Sequence, residues 1–111
     1  MFYKADCENY IDVLDGIQRK TLTYGENTLL TEFRLQAGND LPYHTHPHEQ
    51  IGYLVSGCII LTIDGEEMEI RPGDGWCVPG NTDHGARIIE DSVAVEVFSP
   101  VRKEYLPSLQ L

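Results

Sequence analysis

The sequence predicts an all-β domain, on three observations. Turn dipeptides recur at short intervals, the stretches between them are rich in β-branched and aromatic residues, and the only segments that read as helical, 10–14 and a turn around 102–106, are too short to hold a helix without packing. Asp64-Gly65 carries the clearest turn signal, because it separates Ile59-Ile60-Leu61-Thr62-Ile63 from Met68-Glu69-Ile70 as a tight hairpin loop does. Pro72-Gly73, Asp74-Gly75 and Pro79-Gly80 follow closely, each supplying a fixed φ or a position that tolerates φ > 0.

In chain order the expected strands are 17–24, 28–36, 49–56, 58–63, 67–71, 75–78, 86–89 and 93–99. Helical turns are expected only at the termini, as a short helix at 10–14 and the turn near 102–106. Eight short strands at this spacing point to a sandwich or a barrel. The 111 residues hold no repeat, linker or low-complexity stretch, so they make one domain able to bury a core.

Charge narrows the partners. With 18 acidic and 8 basic residues the chain carries a formal net charge of −10, which opposes approach to nucleic acid or to an anionic membrane surface. No window approaches the roughly 18 consecutive apolar residues of a membrane span, and the first ten residues lack a basic region followed by an apolar one. A soluble cytoplasmic protein is expected. Cys7, Cys58 and Cys77 are odd in number and lack a Cys-x-x-Cys pair, so a disulfide scaffold is not expected. Cys58 and Cys77 sit in apolar stretches and are read as buried, unreactive thiols.

Three of the 4 histidines fall in Tyr43-His44-Thr45-His46-Pro47-His48-Glu49-Gln50. Residues two apart in an extended segment share a face, so His44 and His46 can offer two imidazoles to one ion and Gln50 a carbonyl oxygen. Glu49 points away and reads as a solvated charge. His84, from a neighbouring strand, completes a shell of three nitrogens and one oxygen with positions open for water or substrate. His48 shares the parity, but Pro47 interrupts the alternation, and His48 is assigned to the rim. This donor set calls for one divalent transition metal without choosing among Ni, Zn, Mn, Fe, Co and Cu.

The spacing of Gly38, His44, His46, Gln50 and Gly57 resembles the first motif of the cupins, with Gln50 where the family usually has Glu. Gly73, Pro79 and His84 resemble the second motif, in which Asn81 replaces a glycine and Ile88 an asparagine. The resemblance implies a double-stranded β-helix, the cupin or jelly-roll barrel, over 17–99, with 1–16 as an N-terminal extension and 100–111 as a tail. It also implies the metal-ligand role for His44, His46, Gln50 and His84.

In Ser92-Val93-Ala94-Val95-Glu96-Val97-Phe98-Ser99 the odd positions 93, 95 and 97 are all valine. By pattern alone either face can point inward. If the valines face outward, Glu96 and Phe98 line the cavity, where a carboxylate needs a partner, and Arg102 is the partner expected. The segment from Glu96 to Leu106, together with the histidine run and Gly16-Ile17-Gln18-Arg19-Lys20, is similar to the pectin-degradation cupins, which usually have Asp where Glu96 stands. Those proteins open the ring of 4,5-unsaturated monouronates to linear keto forms. The resemblance implies catalytic roles for Glu96, Arg102 and Phe98, a small anionic sugar acid as substrate, and no cofactor beyond the metal. Phe98 as simple barrel core stays open beside that role. A cupin dioxygenase, a lyase with a tyrosine base and a non-catalytic sugar-acid or metal-binding cupin are the alternatives; Tyr43 and Tyr53 have the wrong parity to serve a lyase. Outward valines and the apolar run 58–63 need cover, and a homodimer is expected to supply it.

Overall fold

The computed structural model describes residues 1–106. Eight antiparallel strands form one sheet: β1 (Ile11–Leu14), β2 (Ile17–Tyr24), β3 (Leu29–Leu35), β4 (Asp40–His44), β5 (Glu49–Ile63), β6 (Glu66–Ile70), β7 (Gly75–Val78) and β8 (His84–Ser99). A 3-10 turn at Lys103–Tyr105 follows, as expected for that segment. The expected tail reaches into residues 107–111, which lie outside the described residues.

Two long strands organise the sheet. They pair from Glu49↔Ser99 to Ile63↔His84, and each also serves two shorter neighbours: β5 holds β7 and then β6, while β8 holds β4 and then β3. The expected strands 49–56 and 58–63 are therefore halves of one strand, as are 86–89 and 93–99. The chain bends instead of stopping. Pairing slips between Leu54 and Ile59, and Gly57 sits in that bend at φ +93°. A Cβ there would lie 2.1 Å from Ser92 Oγ and 2.4 Å from the Asp91 carbonyl oxygen, so only glycine lets the long strands pass this closely.

Two short strands differ from expectation. The expected helix at 10–14 is instead β1, a hairpin partner of β2 closed by Asp15-Gly16, with Leu14 opposite Ile17 and Gly16 at φ +73°. This is the same dipeptide signal that marks the hairpin at Asp64-Gly65, where both φ values are positive, +49° and +80°, as a type I′ turn requires. Strand β4 is absent from the expected set because Pro42 interrupts it; it pairs with β8, and Leu41 and His44 sit on either side of a slip in register.

The inner faces of both halves meet in a core that includes Leu29, Phe33, Leu54, Ile59, Ile88 and Phe98. In β8 the alternation resolves as Ser92, Ala94, Glu96 and Phe98 inward and the valines outward. Within 58–63, Cys58, Ile59 and Leu61 are already buried in the chain, which corrects the expectation that this run needs outside cover. Exposed apolar side chains lie instead at Ile51, Tyr53 and Val55 on the outer face of β5, beside Val97 and Val95 of β8 in register. Cys77 is also exposed, against expectation, because Trp76 and Val78 take the inward positions of the four-residue β7. Among the described residues all three cysteines are free thiols, and burial pushes the Cys58 thiol upward in pKa.

Candidate metal centre

The halves enclose a cavity of about 330 Å³. At one side of it the sheet brings together three histidines that the chain separates. His44 ends β4 and is the direct cross-strand partner of His84, which opens β8, while His46 lies in the loop leading to β5. The ring centroids of His44 and His84 are 4.2 Å apart and those of His46 and His84 4.8 Å apart. One ligating atom from each of the three lies within 4.8 Å of the others, so the histidines are placed to bind one metal ion.

The donor set fits a metal in its hydrogen bonding as well as in its spacing. Nδ1 of His44 faces the Pro42 carbonyl at 2.8 Å, Nδ1 of His46 the His48 carbonyl at 3.0 Å, and Nδ1 of His84 the Thr82 carbonyl at 2.8 Å. Backbone acceptors at Nδ1 hold the rings in the tautomer whose Nε2 lone pair is free for an ion, the usual support of a ligating histidine. His84 Nε2 is buried with no partner at all. His46 points to an ion more sharply still: its Nε2 also stands 2.9 Å from Gln50 Oε1, so each ring nitrogen faces a carbonyl oxygen. A neutral imidazole has one N–H, which leaves one of these contacts between two lone pairs unless a cation lies near it. Burial lowers the pKa of both His46 and His84 and favours that neutral form.

Gln50 extends the site. Its amide nitrogen donates to Glu96 Oε1 at 2.7 Å, tying a histidine to the carboxylate of the closing strand. Glu96 is only 9% exposed, and burial pushes its pKa up to about 7, against the hydrogen bond from Gln50, the nearby Trp76 indole and the charge of Arg102. Phe98 is fully buried and meets the His46 ring edge to face at 5.7 Å, so it both walls the cavity and braces a histidine.

Arg102 departs from expectation. Its ion pair is with Glu104, Nε to Oε1 at 2.7 Å, and not with Glu96. The guanidinium lies over the Tyr105 ring at 4.2 Å and the Phe98 ring at 5.1 Å, because the 3-10 turn folds Tyr105 back under it. It still lines the cavity and acts on Glu96 through its field. His48 contributes its backbone carbonyl to His46, while its ring stands outside the three-histidine group; Glu49 is exposed. Tyr43 and Tyr53 are both exposed, and the Tyr43 hydroxyl accepts from the Gly65 N–H.

Three wall or support residues are not marked by the sequence pattern. Trp76 and Tyr105 line the cavity, and Arg19 lies over the Tyr105 ring at 3.9 Å. A period-two reading of β7 marks Trp76 as inward once Val78 is taken as core, whereas nothing local announces Tyr105 or Arg19.

Comparison with known proteins agrees with this geometry. A cupin domain model matches residues 31–100. The pectin degradation protein KdgF of Dickeya dadantii is 32% identical over 83% of this chain and 86% of its own length. H2HPP isomerase of Bacillus subtilis is 36% identical over 59% of this chain, which spans only 28% of that protein. Among solved structures, KdgF from a Halomonas species superposes with a TM-score of 0.90 at 34% identity, covering 96% of this chain and 100% of the other. The sheet built on two bent strands, the histidines it gathers and these likenesses together establish that the chain belongs to the cupin family.

Proposed function

We propose that this cupin is an isomerase that opens 4,5-unsaturated monouronates to linear keto-uronates, a cytoplasmic step of pectin or uronate breakdown. The observation that carries the proposal is the continuous contact from His46 through Gln50 to a buried Glu96 in one cavity. The likeness to two KdgF proteins supports the substrate class. His44, His46 and His84, with Gln50 as an oxygen donor, would hold one divalent transition metal, which when bound supplies Lewis-acid polarisation of a carboxylate or neighbouring oxygen.

The chain's own groups do the rest. With a pKa near 7, Glu96 can both take and return a proton at neutral pH. It removes the proton of the anomeric hydroxyl, the bond from the anomeric carbon to the ring oxygen breaks, and the aldehyde forms as the ring oxygen keeps the electron pair. The enolate so released gains its proton at the ring-alkene carbon from the same Glu96, so the product is an isomer of the substrate. Arg102 holds the substrate anion, exchanging its exposed pair with Glu104 for the bound carboxylate. Phe98 closes the wall and excludes water.

A second copy of the chain covers the apolar outer face at Ile51, Tyr53 and Val55, making a homodimer. The free thiols among the described residues suit a reducing compartment. The test is a time course by NMR of freshly released unsaturated galacturonate with metal-loaded protein, beside Glu96→Gln and His46→Ala. Loss of the ring form faster than its spontaneous rate, abolished in both variants, is the expected result; no acceleration with metal in place overturns the proposal.

A further inference from the structure

Strand β5 runs between β7 and β8, and its register sets Trp76, Gly52 and Glu96 in one row across the three strands. Side chains in such a row share a face of the sheet, and here the middle residue has none. The indole fills that gap. A Cβ on Gly52 would lie 2.2 Å from Trp76 Cε2 and 2.5 Å from its Nε1. Gly52 shows no left-handed φ, so the backbone makes no demand for glycine there; the space does. The Trp76 N–H is buried and completes no hydrogen bond in this state, although a buried donor without an acceptor is costly. Trp76 and Glu96 wall the same cavity, and Gln50 already occupies Glu96 Oε1, leaving the second carboxylate oxygen open.

We propose that Trp76 is a positioning residue for Glu96, its indole N–H held against the carboxylate through the gap left by Gly52. The proposal rests on the reading of Glu96 as the proton-transfer group. Burial acts most strongly on Glu96 and raises its pKa, while the Gln50 hydrogen bond and the facing Trp76 indole work in the opposite direction, consistent with an indole aimed at the carboxylate. Donors on two sides fix the plane of the carboxyl group, and the indole does so without adding charge. Catalytic hydrogen bonds are often long before the substrate arrives and tighten when it does.

The chain has 1 tryptophan, so its indole N–H gives a single signal in a nitrogen–proton NMR spectrum of the full-length protein. The expected result is a signal displaced from that of the denatured chain, which moves in Glu96→Gln and returns toward the denatured position in Gly52→Ala. In turnover, Trp76→Phe keeps the ring packing and loses the donor; kcat falls about tenfold with KM within about twofold. An indole signal identical in wild type and Glu96→Gln overturns the proposal, as does full kcat in Trp76→Phe. A wild-type protein without turnover overturns only the uronate reading, and the indole signal then decides this one.

Discussion

Gln50 and Glu96, 46 residues apart, meet through a 2.7 Å hydrogen bond from the amide nitrogen to the carboxylate. A glutamate at position 50, the residue that cupins more often carry there, would set two carboxyl groups in that contact. Two carboxylates so close share a proton, and one of them titrates at higher pH. Gln50→Glu is therefore expected to move the pH–rate profile upward by on the order of one pH unit while tightening metal binding through its added charge. An unshifted profile, measured alongside a chelator competition, would show that position 50 does not govern Glu96.

Metal dependence is expected to be complete. Chelation should return turnover to the spontaneous rate, and a divalent ion should restore it. His84→Ala removes the ligand whose Nε2 is buried and unpartnered, and should weaken metal binding by more than about 100-fold. Because burial lowers the pKa of His46 and His84 from 6.5, both stay neutral at pH 7 and lose the ion only as pH falls below that range. Metal content by elemental analysis across pH 5 to 8 checks both statements. Full loading of His84→Ala would remove that histidine from the shell.

In the metal-free protein Glu96 should oppose folding at high pH. Its pKa is raised from 4.5 to about 7, so between these values the folded state binds more protons than the unfolded one and stability falls as pH rises. Glu96→Gln removes this effect, and should exceed the wild type in stability at pH 8 by up to about 3 kcal/mol, with the advantage much reduced near pH 5. The two histidines act with the opposite sign, because the unfolded state binds more protons just below pH 6.5. They are common to both proteins, so urea unfolding of the pair at each pH isolates Glu96. Equal stability at pH 8 would mean that the carboxylate is well solvated.

The proposed homodimer places Tyr53, 52% exposed, at the centre of an apolar outer face. Tyr53→Glu puts a charge into that interface and should give a monomeric mass by light scattering at micromolar concentration, with the cavity and its histidines intact. A wild-type chain already monomeric at that concentration would rule the dimer out.

Much of the fold is legible in the sequence because turn chemistry and side-chain alternation act between neighbours. Asp64-Gly65 announces its hairpin, and the valines of 93–97 announce one face of β8. The N-terminal segment forms a strand where a helix is expected because Ile11–Leu14 is too short for a period to decide, and its Asp15-Gly16 turn is the better guide. The bends that join four expected strands into two are settled by tertiary structure, since Gly57, at φ +93°, also has to pass close to Asp91 and Ser92 of a strand distant in sequence.

The site divides the same way. The spacing of His44 and His46, with His84 beyond a turn, marks from the sequence alone the three histidines that the fold gathers, because short intervals on extended chain set which side chains share a face. What Glu96 touches, where Arg102 finds its partner and how Trp76 enters the cavity are decided by tertiary structure. Those relationships depend on strand register and on a 3-10 turn that folds back, and both are settled by packing among residues distant in sequence.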